Sequence, residues 1–192
     1  MTAILGLNCS DAVIMLADTE ETIGENLKSE ADKLERFKSL YGPIISGGAG
    51  DSDAIDCANH DLFLFLWDRI TANSDILREL RNFPETFFFR VIRPFAGFPA
   101  IFIPSCEMLI AANSIVRKKT ELFYWKETRV FQVPSPIHIS IGVGSLRSHS
   151  MLRDVEFDPP WSWEAMLIHG IRIVMMTKKT VQGVGGKLKG EF

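Results

Sequence analysis

Apolar residues fall in short blocks through the first fifty positions of the chain. Thr2 to Leu7 is one block, Asn8-Cys9-Ser10-Asp11 is a polar turn, and Ala12 to Ala17 is a second block that ends on Asp18. Two short apolar runs about a tight polar turn predict a buried β-hairpin. A hairpin returns the chain, so Asp18 is expected close to the start of the first strand, at Thr2. Glu20 to Asp32 is polar, carries Gly24 and reads as a loop with room for a short strand. Lys33 then precedes Leu34, where the chain turns back to the core. Pro43-Ile44-Ile45 reads as a short strand ending in Ser46-Gly47-Gly48-Ala49-Gly50.

Asp51 and Ser52 are N-cap types, and a helix is expected from there to about Ala72. Its apolar density around Leu62–Trp67 predicts cover on both sides. A second helix is expected over Ile76–Arg81, with Pro84 interrupting or restarting it and Glu85–Arg93 continuing in helical style. Pro94, Pro99 and Pro104 mark a connection. Strands follow at Met108–Asn113, Glu121–Lys126, Arg129–Val133 and Ile137–Val143, the middle two forming a hairpin about Glu127-Thr128. A short helix to about Arg153 is stopped by Asp158-Pro159-Pro160, and Ser162 opens a last helix, Trp163–Met176, apolar on most faces and so expected to be buried. Gly183 to Gly186 reads as a loop.

The order is strands, two helices, strands, two helices. Segregated elements argue an α+β fold with antiparallel sheets, two sheets stacked between two helical layers. The halves on either side of 94–104 each lack a closed core, so residues 1–192 are expected to form one domain.

Composition narrows the function. Nearly half of the 192 residues are hydrophobic, enough for a core, and the net charge of −3 with no basic cluster argues against nucleic acid. Cys9, Cys57 and Cys106 form no CxxC unit and cannot all pair, which fits free thiols in a reducing compartment. No leader pattern and no bilayer-length apolar stretch is seen, so a cytoplasmic location without membrane contact is expected. No cofactor or metal is expected: Cys57 and His60 share a helix face but lack further ligands.

The candidate chemistry lies at the N-terminus. A small residue after Met1 permits removal of Met1, which leaves Thr2 with a free α-amine. A hydroxyl and an amine on one residue make a nucleophile and its own base. Gly47 to Gly50 before a helix also suggests a phosphate cradle, but Asp51 and Asp53 at that helix start would repel an anion. Gly183–Lys187 fails as a phosphate loop because Leu188 stands where Ser or Thr is required. His138 reads as a structural residue of an apolar strand. Phe87-Phe88-Phe89, if exposed, would point to subunit contact.

Thr2, Ala17-Asp18-Thr19, Lys33 and Ser46-Gly47-Gly48-Ala49-Gly50-Asp51, in this order, resemble the β-type subunits of the proteasome and the related bacterial heat-shock protease. Those are N-terminal-nucleophile hydrolases with an αββα sandwich. The match is close over about residues 2–65 and looser over 121–186, where Ile141-Gly142-Val143-Gly144-Ser145 and the helix start at Ser162–Ala165 carry it.

The resemblance implies that Thr2 is the nucleophile, Asp18 and Lys33 its charged partners, and Gly47 the oxyanion N–H donor. It implies that the backbone of Thr22 and Ala49 holds an extended peptide as an added strand, and that Ile45 floors the pocket before the cut. It further implies a peptide or unfolded-protein substrate and a homo-oligomeric ring. Neither ring size nor an ATPase partner is encoded in any motif of the chain.

Three departures stand out. Val143 replaces a Ser of the family, and Thr180 to Val184 lacks its Asp and Ser. Glu20 also replaces an Arg. These losses predict slow turnover. Two other readings stay open: a non-catalytic structural subunit, and an amidohydrolase of the same superfamily acting on small molecules.

Overall fold

A computed structural model describes residues 2–23, 27–39, 42–69, 75–95, 97, 104–114, 117–127, 129–134, 137–153, 162–182 and 184–191. The expected first hairpin is β1 (Ala3–Asn8) and β2 (Val13–Asp18), both buried along their whole length. The polar stretch after it holds two short strands, where the sequence suggested a loop with one at most. It forms a second hairpin, β3 (Glu20–Ile23) and β4 (Leu27–Glu30), with Thr22 opposite Lys28. Its polar composition hid it, because strands without apolar alternation give no period-2 signal.

Next come β5 (Leu34–Ser39) and β6 (Gly42–Gly50). The glycine stretch is strand throughout, longer than the sequence suggested, and pairs with both β5 and β7 (Cys106–Ser114). Absent side chains explain why it stays in the ladder. A Cβ on Gly47 would lie 2.7 Å from Leu34 Cδ2 and 3.0 Å from Ile4 Cδ1. Gly47 thereby lets the two sheets approach each other.

Helix α1 (Ser52–Arg69) and α2 (Ile76–Phe87) follow. Pro84 does not break α2. Ile76, Leu80, Phe83, Pro84 and Phe87 make one buried face, and Phe83 and Phe87 pack edge-on against Trp125 at 5.1 and 4.9 Å. Two buried aromatic rings outweigh a proline cost of about 3 kcal/mol. After α2 the chain winds as a π-helix over Phe88–Ile92 and a 3₁₀ turn at Arg93–Phe95. Most of the expected 94–104 connection lies outside the described residues. Strands β8 (Lys119–Lys126), β9 (Arg129–Val133) and β10 (Ile137–Gly142) precede α3 (Ser145–Arg153), α4 (Trp163–Thr180) and β11 (Leu188–Glu191).

One sheet has the order β10-β1-β2-β11 and the other β5-β6-β7-β8-β9, all neighbours antiparallel. Ile4, Met15, Ala17, Ile45, Leu109 and Leu122 fill the space between the sheets. The α1–α2 layer covers the five-stranded sheet through Leu62, Leu66 and Phe83 against Ile110 and Phe123. The α3–α4 layer covers the four-stranded sheet through Met166 and Ile173 against Leu5, Leu7 and Leu16. The result is the expected α+β, four-layer αββα sandwich.

The two long helices are less buried than their composition implied. α1 leaves Leu64 and Trp67 exposed, and α4 leaves Ile168, Ile171, Met175 and Met176 exposed. Each helix has one sheet beneath it, which can cover only one face. Of the three phenylalanines at 87–89, Phe87 is buried and Phe89 is exposed.

Candidate active site

Asp18, Lys33 and the backbone beside Thr2 come together at one end of the sandwich, where β1 begins and β2 ends. Thr2 precedes β1 and is half-buried. Asp18 closes β2 with its side chain wholly buried. Its Oδ1 accepts from the Ala3 backbone N at 2.8 Å and from Lys33 Nζ at 3.0 Å. Its Oδ2 accepts from Gly185 N at 3.1 Å. One carboxylate thus ties the residue after Thr2, the lysine before β5 and the loop after α4 into one cluster.

Lys33 is nearly as buried, with its side chain 8% exposed. Its Nζ also donates to the Glu20 carbonyl oxygen. A buried ion pair carries a desolvation cost that only good geometry and further hydrogen bonds offset. Here both partners have such bonds. Thr19 adds a clamp: its N donates to Lys187 O at 3.1 Å and its Oγ1 accepts from Lys187 N at 2.7 Å.

Gly47 lies in the interior of β6 opposite Leu34, with Lys33 O 3.0 Å from where its Cβ would be. Ala49 follows on the same face. Ile45 is buried within the inter-sheet core, on that face too. Thr22 sits in the β3–β4 hairpin, opposite Lys28. Met1 lies outside the described residues, as does Gly183.

The opposite flank of Thr2 is backbone. Gly142 ends β10 at φ +85°, and a Cβ there would lie 2.1 Å from Thr2 O and 3.3 Å from Ala49 Cβ. Only glycine fits that contact and that conformation. Gly142 N donates to Glu107 Oε1 at 3.0 Å, and Tyr124 Oη donates to Glu107 Oε2 at 2.9 Å. Burial, then the bond to Glu107, pushes the Tyr124 phenol well above its usual range. Val143 is 52% exposed. Sequence reasoning missed Glu107 and Tyr124. A charged residue at the mouth of the apolar run Met108–Ala112 was the available signal.

Among the described residues no group of three or more His, Cys, Asp or Glu is arranged to hold a metal ion. No described helix is long and apolar enough to cross a membrane.

No protein-family model and no curated protein matches the sequence. Solved structures do. Eukaryotic HslV from Trypanosoma brucei superposes with a TM-score of 0.70 at 16% identity, over 98% of this chain and 97% of that one. Anbu, an ancestral β-subunit, from Yersinia bercovieri gives 0.77 at 15% identity, over 98% of this chain and 79% of that one. Anbu from Pseudomonas aeruginosa, solved as a helical assembly, gives 0.72 at 16% identity, over 98% and 80%. At these identities the likeness is one of architecture, and it shows that the chain has the fold of HslV and the proteasome β-type subunits.

Proposed function

We propose that this chain is a threonine hydrolase that cleaves peptide bonds through an ester on Thr2, after loss of Met1. The observation that carries the reading is the shared Asp18 Oδ1, which holds the backbone beside Thr2 and the Lys33 ammonium within one hydrogen bond each. A threonine hydroxyl needs a base to take its proton. A free α-amine, with a usual pKa of about 7.7–8.0, is that base, and a neighbouring ammonium keeps more of it neutral.

Thr2 Oγ attacks the scissile carbonyl, and the Oγ proton passes to the α-amine. An N–H at Gly47 stabilises the tetrahedral oxyanion. The C–N bond then breaks, and the leaving amine takes the proton. Water, deprotonated by the same amine, hydrolyses the ester and restores Thr2. Thr22 and Ala49 line the edges where an extended peptide adds as a strand, and Ile45 sets an apolar preference before the cut. The exposed apolar residues on α1 and α4 support assembly with further copies of the chain, as does the helical assembly formed by Anbu from Pseudomonas aeruginosa. We place the protein in the cytoplasm as one domain spanning 1–192.

The competing reading is a non-catalytic structural subunit, favoured by Val143 and by the Thr180 to Val184 stretch, which lack the family's supporting hydroxyls and carboxylate. Hydrolysis assays on the assembled, Met1-free protein separate the readings. Slow cleavage of peptides with apolar residues before the cut, abolished by Thr2→Ala, is expected. Cleavage of small amides alone would move the assignment to a small-molecule amidohydrolase, and no cleavage of either would favour the structural subunit.

A further inference from the structure

The corner where Thr2 meets β10 holds a carboxylate with no part in the steps above. Glu107 stands directly opposite Ala49 in the β6–β7 register, so both side chains share the inner face of the sheet. From there Glu107 reaches across to the other sheet. Its Oε1 takes the Gly142 N–H and its Oε2 takes the Tyr124 hydroxyl. A donor on each oxygen suits an ionised carboxylate, which only accepts. Tyr124 lies on β8 opposite Leu109, which makes it a diagonal neighbour of Glu107 on the same face. The phenol stays protonated throughout the range in which an α-amine titrates, so it remains a donor to Glu107 there.

Gly142 links this pair to the nucleophile. Its backbone is pressed against the carbonyl of Thr2, so whatever fixes Gly142 fixes the residue bearing the hydroxyl. The side chain next in line offers no polar group, because Val143 is apolar and turned to solvent. The anchor for this turn therefore comes from the opposite sheet.

We propose that Glu107, braced by Tyr124, is a positioning residue for Thr2: it anchors the Gly142 turn against Thr2 and places a negative charge beside the corner that holds the α-amine. The inference rests on the reading of Thr2 as nucleophile. Among the described residues the charged and titratable groups at this end are Asp18, Glu20, Lys33, Glu107 and Tyr124, with Lys126 directly opposite Glu107 in the β7–β8 register and Glu127 acting on the Tyr124 phenol. Asp18, Glu20 and Glu107 favour a charged amine, and Lys33 disfavours it. Removing the Glu107 charge therefore lowers the pH at which the amine becomes a base, while the loosened turn slows the attack.

The test is the single-turnover acylation of the Met1-free protein by a β-lactone, followed by intact mass across the neutral pH range. Thr2 Oγ bonds to the lactone carbonyl, the ring C–O bond breaks, and the hydroxyl proton ends on the released ring oxygen, so the whole probe mass is retained. Glu107→Gln is expected to slow labelling by roughly ten- to a hundredfold and to move the acidic limb of the rate profile to lower pH. Glu107→Asp is expected to return the limb to its wild-type position and to recover part of the rate. Tyr124→Phe is expected to slow labelling a few-fold with the limb unmoved.

A folded Glu107→Gln protein that labels at the wild-type rate overturns the proposal. One that labels slowly with an unmoved limb also overturns it, because it reduces Glu107 to a strut between sheets. If Glu107→Gln does not fold, Tyr124→Phe decides alone, and a wild-type rate there overturns the proposal. A wild-type protein that never labels sinks the Thr2 reading itself, an outcome distinct from failure of the variants.

Discussion

The two flanks of Thr2 are held by different physics. On the Asp18 flank a buried carboxylate gathers a lysine and two backbone N–H groups into a charged cluster. On the Gly142 flank a bare backbone presses against Thr2, and a carboxylate, Glu107, bonds it from across the sandwich. Both flanks depart from the proteasome-like pattern: the first keeps Asp18 and Lys33 beside Glu20 and the Thr180 to Val184 stretch, and the second keeps Gly142 beside Val143. A buried ion pair tolerates little change, because removing one partner strands the other. A flank built on close backbone contact instead leaves neighbouring side chains such as Val143 free to vary.

The largest effect is expected where the charged cluster is broken. Asp18→Ala leaves the Lys33 ammonium buried without its partner, and such losses cost about 3–5 kcal/mol. For a domain of this size each kcal/mol corresponds to roughly 2–4 °C, so thermal unfolding should show a drop on the order of 10 °C, with no Thr2 acylation remaining. A change of less than a degree or two would mean that the cluster does not hold the fold together.

Next comes Gly142→Ala. A methyl group there collides with Thr2 O and sits on a left-handed backbone, and overpacking of this kind typically costs about 1–3 kcal/mol. Denaturant unfolding should show that loss, and Thr2 labelling should fall more than stability does, since the displaced atom belongs to the nucleophile. Equal stability and labelling in this variant would separate Gly142 from the site.

Much of this architecture is legible in the chain. The β1–β2 return, Asp18 beside the start of β1, and the strand–helix–strand–helix order all follow from period and turn chemistry. What escaped has identifiable causes. The β3–β4 hairpin is a separate two-stranded sheet whose polar residues carry no apolar alternation. β6 extends through its glycines because sheet-to-sheet contact, invisible in sequence, rewards the missing Cβ atoms. Pro84 is tolerated because Trp125, forty residues on, anchors the turns around it. Within the site, Asp18 and Lys33 are readable from the hairpin return, the position after the polar stretch and the family pattern. Glu107 and Tyr124 act across two sheets, and no local pattern encodes that meeting.

A smaller effect tests the replaced flank directly. Val143→Ser restores a hydroxyl at an exposed position, where substitutions usually stay within about 0.5 kcal/mol. Thr2 acylation should rise several-fold with unchanged unfolding. An unchanged rate would show that a hydroxyl at 143 does not reach the amine.

A further effect, confined to high pH, is on alkaline stability. Burial pushes the Cys9 thiol up to about 11 and the Cys106 thiol up to about 12, and it raises the Tyr124 phenol as well. In each case the folded state holds the proton to higher pH than the unfolded chain does. More protons are bound in the folded state, so stability falls with rising pH, beginning near the unperturbed thiol value of 9.0 and continuing towards 12. Tyr124→Phe should flatten part of that decline in unfolding experiments, and an unaltered slope would remove Tyr124 from it.

The central claim is that Thr2 becomes an N-terminal nucleophile. Its most direct test is mass spectrometry of the assembled wild-type protein after incubation with a β-lactone. The account predicts a chain that has lost Met1 and gained one probe mass, mapped by fragmentation to Thr2 and absent in Thr2→Ala. A chain that has lost Met1, remains assembled and carries no adduct on Thr2 would contradict it, and the structural-subunit reading would then stand.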